Sequence, residues 1–339
     1  MSPYLSEKIR NLSFFSILLV VLLHSQMISI STGYALWIQY FVTGELTRIA
    51  VPVFFAISGY LFFQNFSSPI KDFFENKIKK RVRTVLIPYL FWSVLGLLSL
   101  YLMQIILPNS SFFSKKIISE YNFHEILYAI FINPVGTYQL WFLRDLFVIV
   151  LLSPIIYIGI KYIKIFFVLL LFPFWILGIQ YFIQIESVFF FSLGAYIALV
   201  YKDLLEKKCA KKGIAIFQFC MWLLYCCVLT EYRYEYYCHC LGILWGIGSI
   251  WCLYDVLYHF IRGSFLLKNL AGYSFFIYVA HEPLLTVVKK ILLYMGHSSI
   301  WILLVYFIAP VITISICIII GRMLRGYFPK FYAFISGGR

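Results

Sequence analysis

Apolar residues in this chain gather into long blocks. Ten such segments follow one another, at approximately 12–30, 48–66, 84–107, 140–160, 163–182, 186–201, 213–230, 239–258, 271–290 and 300–321. The strands of a membrane barrel alternate apolar and polar positions in short runs, and these segments do not. A helix that crosses a bilayer needs about 20 mostly apolar residues, because hydrocarbon offers no partner to an unpaired backbone amide. The pattern predicts an all-α, polytopic transmembrane bundle of about ten helices. The first segment has no small-residue cleavage site and nine more follow it, so it reads as a retained helix, not a secretory leader. No internal repeat or low-complexity linker divides the chain, and residues 1–339 read as a single integral-membrane domain.

The polar connections orient the bundle. With the N-terminus in the cytoplasm, seven of the 28 Lys and Arg fall outside, namely Arg48, Lys115, Lys116, Arg144, Arg233, Lys289 and Lys290. The other 21, among them Lys8, Arg10 and the run Lys77-Ile-Lys-Lys-Arg-Val-Arg83, fall inside. Such an excess marks cytoplasmic loops, so both termini are expected in the cytoplasm. The longest outer connection, Pro108 to Gln139, is polar and aromatic, with a short amphipathic helix expected near Phe123 to Ile132.

Composition supports the membrane reading. The chain is 63% hydrophobic and 12% charged, with a mean hydropathy of +0.89, whereas soluble domains run at about 45–50% and about 25%. A net charge of +14 would suggest nucleic acid in a soluble protein. Here the positive-inside rule accounts for it, so the lipid bilayer and no nucleic acid is the expected partner. Most of the eight cysteines lie inside apolar segments, where a thiol behaves as a small hydrophobe. Cys238-His239-Cys240 has no second ligand pair to complete a metal site, and no metal is expected.

Against this apolar background a few polar residues stand out. His24 lies twelve residues into the first segment, roughly 18 Å from its inner end at 1.5 Å per residue. An ionisable group at that depth is a functional candidate; the plainer reading is a histidine bonded across a helix interface. Arg10, fourteen residues earlier, lies nearly four whole turns away and shares that face, unless it serves only topology. Glu45 and Arg48, three residues apart at the mouth of the second helix, are able to pair. Arg144 and Asp145 stand just inside the fourth. Ser58-Gly59 permits close helix approach. His281-Glu282-Pro283 interrupts the ninth, as a site or as a kink with a satisfied histidine. The six cations between Lys71 and Arg83, ending in Arg81 and Arg83, suit a phosphorylated ligand or merely topology.

Five stretches in order carry a resemblance to a known family. They are Ile17-Leu-Leu-Val-Val-Leu-Leu-His-Ser25, Arg48-Ile-Ala-Val-Pro-Val-Phe-Phe-Ala-Ile-Ser-Gly-Tyr-Leu61, Lys79-Lys-Arg-Val-Arg-Thr-Val-Leu-Ile-Pro-Tyr-Leu-Phe-Trp92, Leu140-Trp-Phe-Leu-Arg144 and Ser274-Phe-Phe-Ile-Tyr-Val-Ala-His-Glu-Pro283. Over nearly its whole length the chain resembles the acyltransferase-3 family, bacterial inner-membrane O-acyltransferases that decorate cell-surface glycans. The resemblance implies ten helices, an acyl-CoA donor from the cytosol and a glycan acceptor at the outer face. It assigns the essential helix-1 histidine to His24. Many members carry an arginine eleven residues before that histidine, where this chain has Ser13; Arg10, one turn lower, is the substitute the spacing offers.

On this reading an acyl group, acetyl from acetyl-CoA in the simplest case, passes to a sugar hydroxyl with His24 as base. No bound cofactor is expected, since acetyl-CoA is a co-substrate. Arg81 and Arg83, with Lys80, would hold the phosphates of the donor. Arg48 and Arg144 would lie near the acceptor or the developing oxyanion, with Trp141, Ser58, Glu45 and His281 as further binding residues. With no appended soluble domain, the chemistry is expected inside the bundle. The alternative is a transporter or flippase for a glycan or lipid-linked sugar, although no paired halves are visible. A structural subunit of a glycan-export complex is the third reading.

Overall fold

The computed structural model describes residues 1–67, 69–106, 117–179, 182–208, 211–232 and 234–338. Lys115, Lys116, Cys209, Arg233 and Arg339 lie outside the described residues. Among those described, the regular structure is helical throughout, and each of the ten apolar segments coincides with a helix. In chain order these are α1 (Pro3–His24), α2 (Gly33–Gln39), α3 (Ala50–Phe63), α4 (Ile70–Arg81), α5 (Ile87–Ile106), α6 (Phe123–Phe131), α7 (Trp141–Ile163) and α8 (Ile165–Ile176). There follow α9 (Ile185–Val200), α10 (Lys212–Tyr232), α11 (Tyr236–Ile261), α12 (Phe265–Ala271), α13 (Ser274–Tyr294), α14 (Ser299–Tyr327) and α15 (Pro329–Ile335). Among the described residues seven helical stretches are long and apolar enough to cross a membrane; α8 and α9 are apolar but shorter. The protein is a polytopic helical bundle.

Three helices are shaped by clusters of polar residues, two of them away from their expected bounds and one at the interruption expected at His281-Glu282-Pro283. The first stops at His24, not Ile30, because the next polar groups turn to other elements: Ser25 Oγ donates to the Tyr306 carbonyl and Met27 N to Gln39 Oε1. The second begins at Gly33, fifteen residues before its expected start, and runs through a π turn (Tyr40–Glu45) and a 3₁₀ turn (Leu46–Ile49) into α3. Arg48 and Glu45 are therefore inside a continuous helical stretch and not at its mouth. The third is α13, which leaves helical geometry at Glu282, just before Pro283. Proline lacks the N–H of the helical ladder and clashes with the preceding turn, so a break there is expected.

Close packing positions these breaks. A Cβ on Gly59 would lie 2.0 Å from the Phe191 carbonyl oxygen, and one on Gly194 1.9 Å from that of Ala56. Glycine at both positions is what lets the α3 and α9 backbones touch. At the N-terminal end of α1, Lys8 is no topological charge in water. It is fully buried, 2.6 Å from Asp255, with its ammonium 4.1 Å from the Trp251 ring centre. The amphipathic helix of the long connection forms as expected, as α6, with a reciprocal Asn122–Glu125 cap.

Candidate active site

The end of α1, the connection before α7 and the break in α13 meet at His24. Lys289 Nζ donates to the His24 carbonyl oxygen at 2.7 Å, occupying one of the carbonyls that the end of α1 leaves unpaired. The His24 Nδ1 lies 3.0 Å from the Tyr138 hydroxyl. That hydroxyl donates to Glu282 Oε1 at 3.4 Å, and the other carboxylate oxygen accepts from Thr286 Oγ1 at 2.9 Å. The 3.4 Å contact is long for a hydroxyl donor. Behind His24 the His281 ring stacks at 5.4 Å and 26°. His281 Nδ1 faces two carbonyl oxygens, Tyr278 O at 2.7 Å and Ile277 O at 3.2 Å. Carbonyls only accept, so Nδ1 carries the proton and Nε2 the lone pair.

Two cavities meet at this point. One, of about 360 Å³, runs from Arg81, Ser13 and Ser274 past Ser58 to His24, and its walls are mostly apolar. The other, of about 750 Å³, opens from His24 toward Arg48, Glu45, Glu186 and His239, with Tyr40, Tyr138, Tyr234 and Tyr236 in its wall. Leu23, His24, Val51 and Trp141 line both. A group entering from either side therefore reaches the same imidazole. Among the described residues no cluster of three His, Cys, Asp or Glu is placed to hold a metal ion.

The residues singled out in the sequence divide clearly. His24, Ser58, Arg81, Trp141, Arg48 and Glu45 line one cavity or both, and His281 backs His24. Arg10 lines neither: it pairs with Glu7 at 3.7 Å, and Ser13 takes the wall. At 100° per residue Ser13 returns within about 20° of the direction of His24 and Arg10 within about 40°. Arg83 is exposed and off the wall, since residues two apart on a helix do not share a face. Glu45 bonds His239 Nδ1 at 2.7 Å in place of Arg48.

Arg144 lies apart from both cavities. Its Nε and Nη2 hold Asp145 Oδ1 at 2.9 and 2.7 Å, and its Nη1 donates to the Ile132 carbonyl at 2.7 Å. Ser93 and Tyr89 bind the carbonyls of Ile130 and Phe131. Together the three side chains satisfy the C-terminal end of α6, so Arg144 is committed to holding the long connection against α7. It faces neither cavity.

Sequence reasoning missed Tyr138, Gln139, Thr286 and Lys289 as site residues. Lys289, one of the seven basic residues counted outside, reaches the His24 carbonyl. A signal existed in the spacing of Glu282, Thr286 and Lys289, which places all three on one helical face. Tyr138 carried none, since nothing local ties it to a residue 114 positions away.

A family model for an acyltransferase domain matches residues 8–322. The chain belongs to the acyltransferase-3 family. It is an acyltransferase, and with its seven long apolar helices a multi-pass membrane protein. The acyltransferase is similar to the succinoglycan biosynthesis protein ExoH of Rhizobium meliloti (strain 1021), at 28% identity over 324 residues, covering 89% of this chain and 82% of that protein. No solved structure matches it.

Proposed function

We propose that this acyltransferase moves an acyl group, acetyl in the simplest case, from acyl-CoA to a hydroxyl of a cell-surface or exported glycan. The observation that carries the reading is the position of His24, on the shared wall of two cavities that approach it from different sides. A soluble donor and a separate acceptor each need an entrance, and they need a common meeting point. The relative named for succinoglycan biosynthesis supports a glycan as the acceptor. The site is taken to work in a bacterial inner membrane with both termini in the cytoplasm, so that the Arg81 cavity opens to the cytosolic donor and the Arg48 cavity to the acceptor.

The chemistry follows from the tautomer. If the one proton of the Tyr138 hydroxyl goes to the Glu282 carboxylate, the phenol oxygen accepts from His24 Nδ1–H, and Nε2 keeps its lone pair. Nε2 then takes the proton of a sugar hydroxyl as its oxygen bonds to the thioester carbon. The tetrahedral oxyanion collapses, the carbon–sulfur bond breaks, and the imidazolium returns that proton to the leaving thiolate. The products are an O-acyl glycan and free CoA thiol. Through Tyr138, Glu282 stabilises the transient positive charge, as the carboxylate of a hydrolase triad does directly. Arg81 would meet the donor phosphates, and Arg48 with Trp141 the acceptor.

Purified protein given labelled acetyl-CoA and an oligosaccharide acceptor should produce labelled ester, and His24→Gln should lower the rate about 10²–10⁴-fold. Glutamine keeps a hydrogen-bonding side chain but takes no proton near neutral pH. Near-wild-type acylation by a membrane-inserted His24→Gln protein would refute the base assignment, and failure of the wild type to consume acetyl-CoA would favour a transporter.

A further inference from the structure

Gln139 makes a demand that its surroundings leave unmet. It is 1% exposed, precedes α7 and lines the Arg81 cavity beside His24. Its Nε2 donates to the carbonyl oxygens of Val279 at 3.4 Å and Glu282 at 3.5 Å. Carbonyls only accept, so turning the amide over would set three oxygens against one another; the network decides the orientation. The Tyr278 hydroxyl, bonded to the Gln139 main-chain carbonyl, holds the residue to the same break in α13. The side-chain Oε1 is then left buried without a partner. Such an acceptor needs an N–H or O–H. Donor side chains do line the same cavity, Ser58, Trp141 and Tyr278 among them, but none is bonded to this oxygen. His281 Nε2 is also unpartnered, but His281 does not line the cavity.

A ligand that enters the cavity can bring the donor group. Resting on the acyl-CoA reading above, the chemistry of that donor narrows the choice. Its arm carries a secondary amide whose nitrogen is one ethylene bridge from the sulfur. With the thioester carbonyl at His24, that amide lies near the residue following Tyr138, whose hydroxyl touches the His24 ring. We propose that Gln139 Oε1 accepts the N–H of the amide nearest the sulfur, forming a subsite that selects pantetheine thioesters over simple thioesters. Arg81 would recognise the phosphates at one end of the arm, and Gln139 would set the register of the other. A thioester in register presents its carbonyl carbon to the acceptor hydroxyl. One displaced by a bond or two does not.

The test compares two donors that differ in one group: acetyl-CoA, and its analogue with that amide N–H replaced by an ester oxygen. Wild-type protein should prefer the amide about 10- to 100-fold in kcat/KM, since a site built around a hydrogen bond rejects a ligand that leaves its buried group unpaired. In Gln139→Met the ratio should fall to near one. The ratio is taken within one preparation, so partial loss of folded protein cancels. Equal use of both donors by the wild type overturns the subsite alone and leaves Gln139 Oε1 to a buried water. Use of neither donor overturns the acyl-CoA reading itself, and the subsite with it.

Discussion

The hydroxyl of Tyr138 lies 3.0 Å from Nδ1 of His24, across 114 residues of chain. This one contact joins the end of α1 to the connection before α7, and through Glu282 to the break in α13. Its removal should therefore be felt in catalysis more than in folding. Tyr138→Phe keeps the ring that packs edge-on against His24 at 5.0 Å and deletes only the hydroxyl. The expected loss in kcat is about 10- to 100-fold, smaller than for His24→Gln, with donor KM nearly unchanged. Steady-state kinetics on quantified membrane protein measures both.

In the proposed mechanism Glu282 works through the same hydroxyl, so its loss should not add to that of Tyr138. Glu282→Gln is expected to slow acylation by at least about tenfold. The double variant with Tyr138→Phe should be close to the worse single one, because groups that work as a unit are non-additive. Fully multiplicative losses in that cycle would separate the two residues.

Arg81 and Arg83 share a motif but not a surface. Arg81→Ala should raise the KM for acyl-CoA by about 10-fold or more, the worth of a charged hydrogen bond of about 1.5–3 kcal/mol. Arg83→Ala should change it less than about threefold. Equal effects from the two variants would mean that the phosphates bind outside the cavity.

The α3–α9 contact makes a prediction about stability alone. Gly59→Ala drives a methyl into the Phe191 carbonyl oxygen at 2.0 Å, and overpacking of this kind costs about 1–3 kcal/mol or more. Gly248, with nothing within 4 Å of an added Cβ, is the control, and its alanine variant should stay within about 0.5 kcal/mol. Thermal unfolding of the purified proteins in detergent compares the two.

The bias of basic residues makes a prediction about topology. Reporter tags at residue 75 and at the C-terminus should be cytoplasmic, and one near residue 116 external. A cytoplasmic signal from position 116 would rule out the ten-crossing arrangement.

Much of this was legible from the residues alone. Bilayer hydrocarbon demands internal pairing of every backbone amide, and that demand writes itself into runs of apolar sequence. A helix at each of the ten apolar segments, the amphipathic α6 and the close approach at Gly59 follow from local pattern. So does the choice of His24 as a candidate, because a titratable group in a segment with ten leucines, valines and isoleucines has no local explanation. What the chain order could not reveal was how polar groups pair across elements. The early start at Gly33 was hidden because Gln39, Thr43, Glu45 and Thr47 lower the apolar signal, and each is buried only once α1, α11 and α14 surround it. Arg144 looks like a site residue until Ile132 and Asp145 claim its donors. Arg10 and Arg83 lie near the right helices and miss the cavities by their angle about the axis. The Tyr138–Glu282 relay and the orphaned Gln139 oxygen belong wholly to the tertiary structure. Hydrogen bonds reach about 3 Å whatever the sequence separation, so only the packed bundle decides which polar groups meet and which are left without a partner.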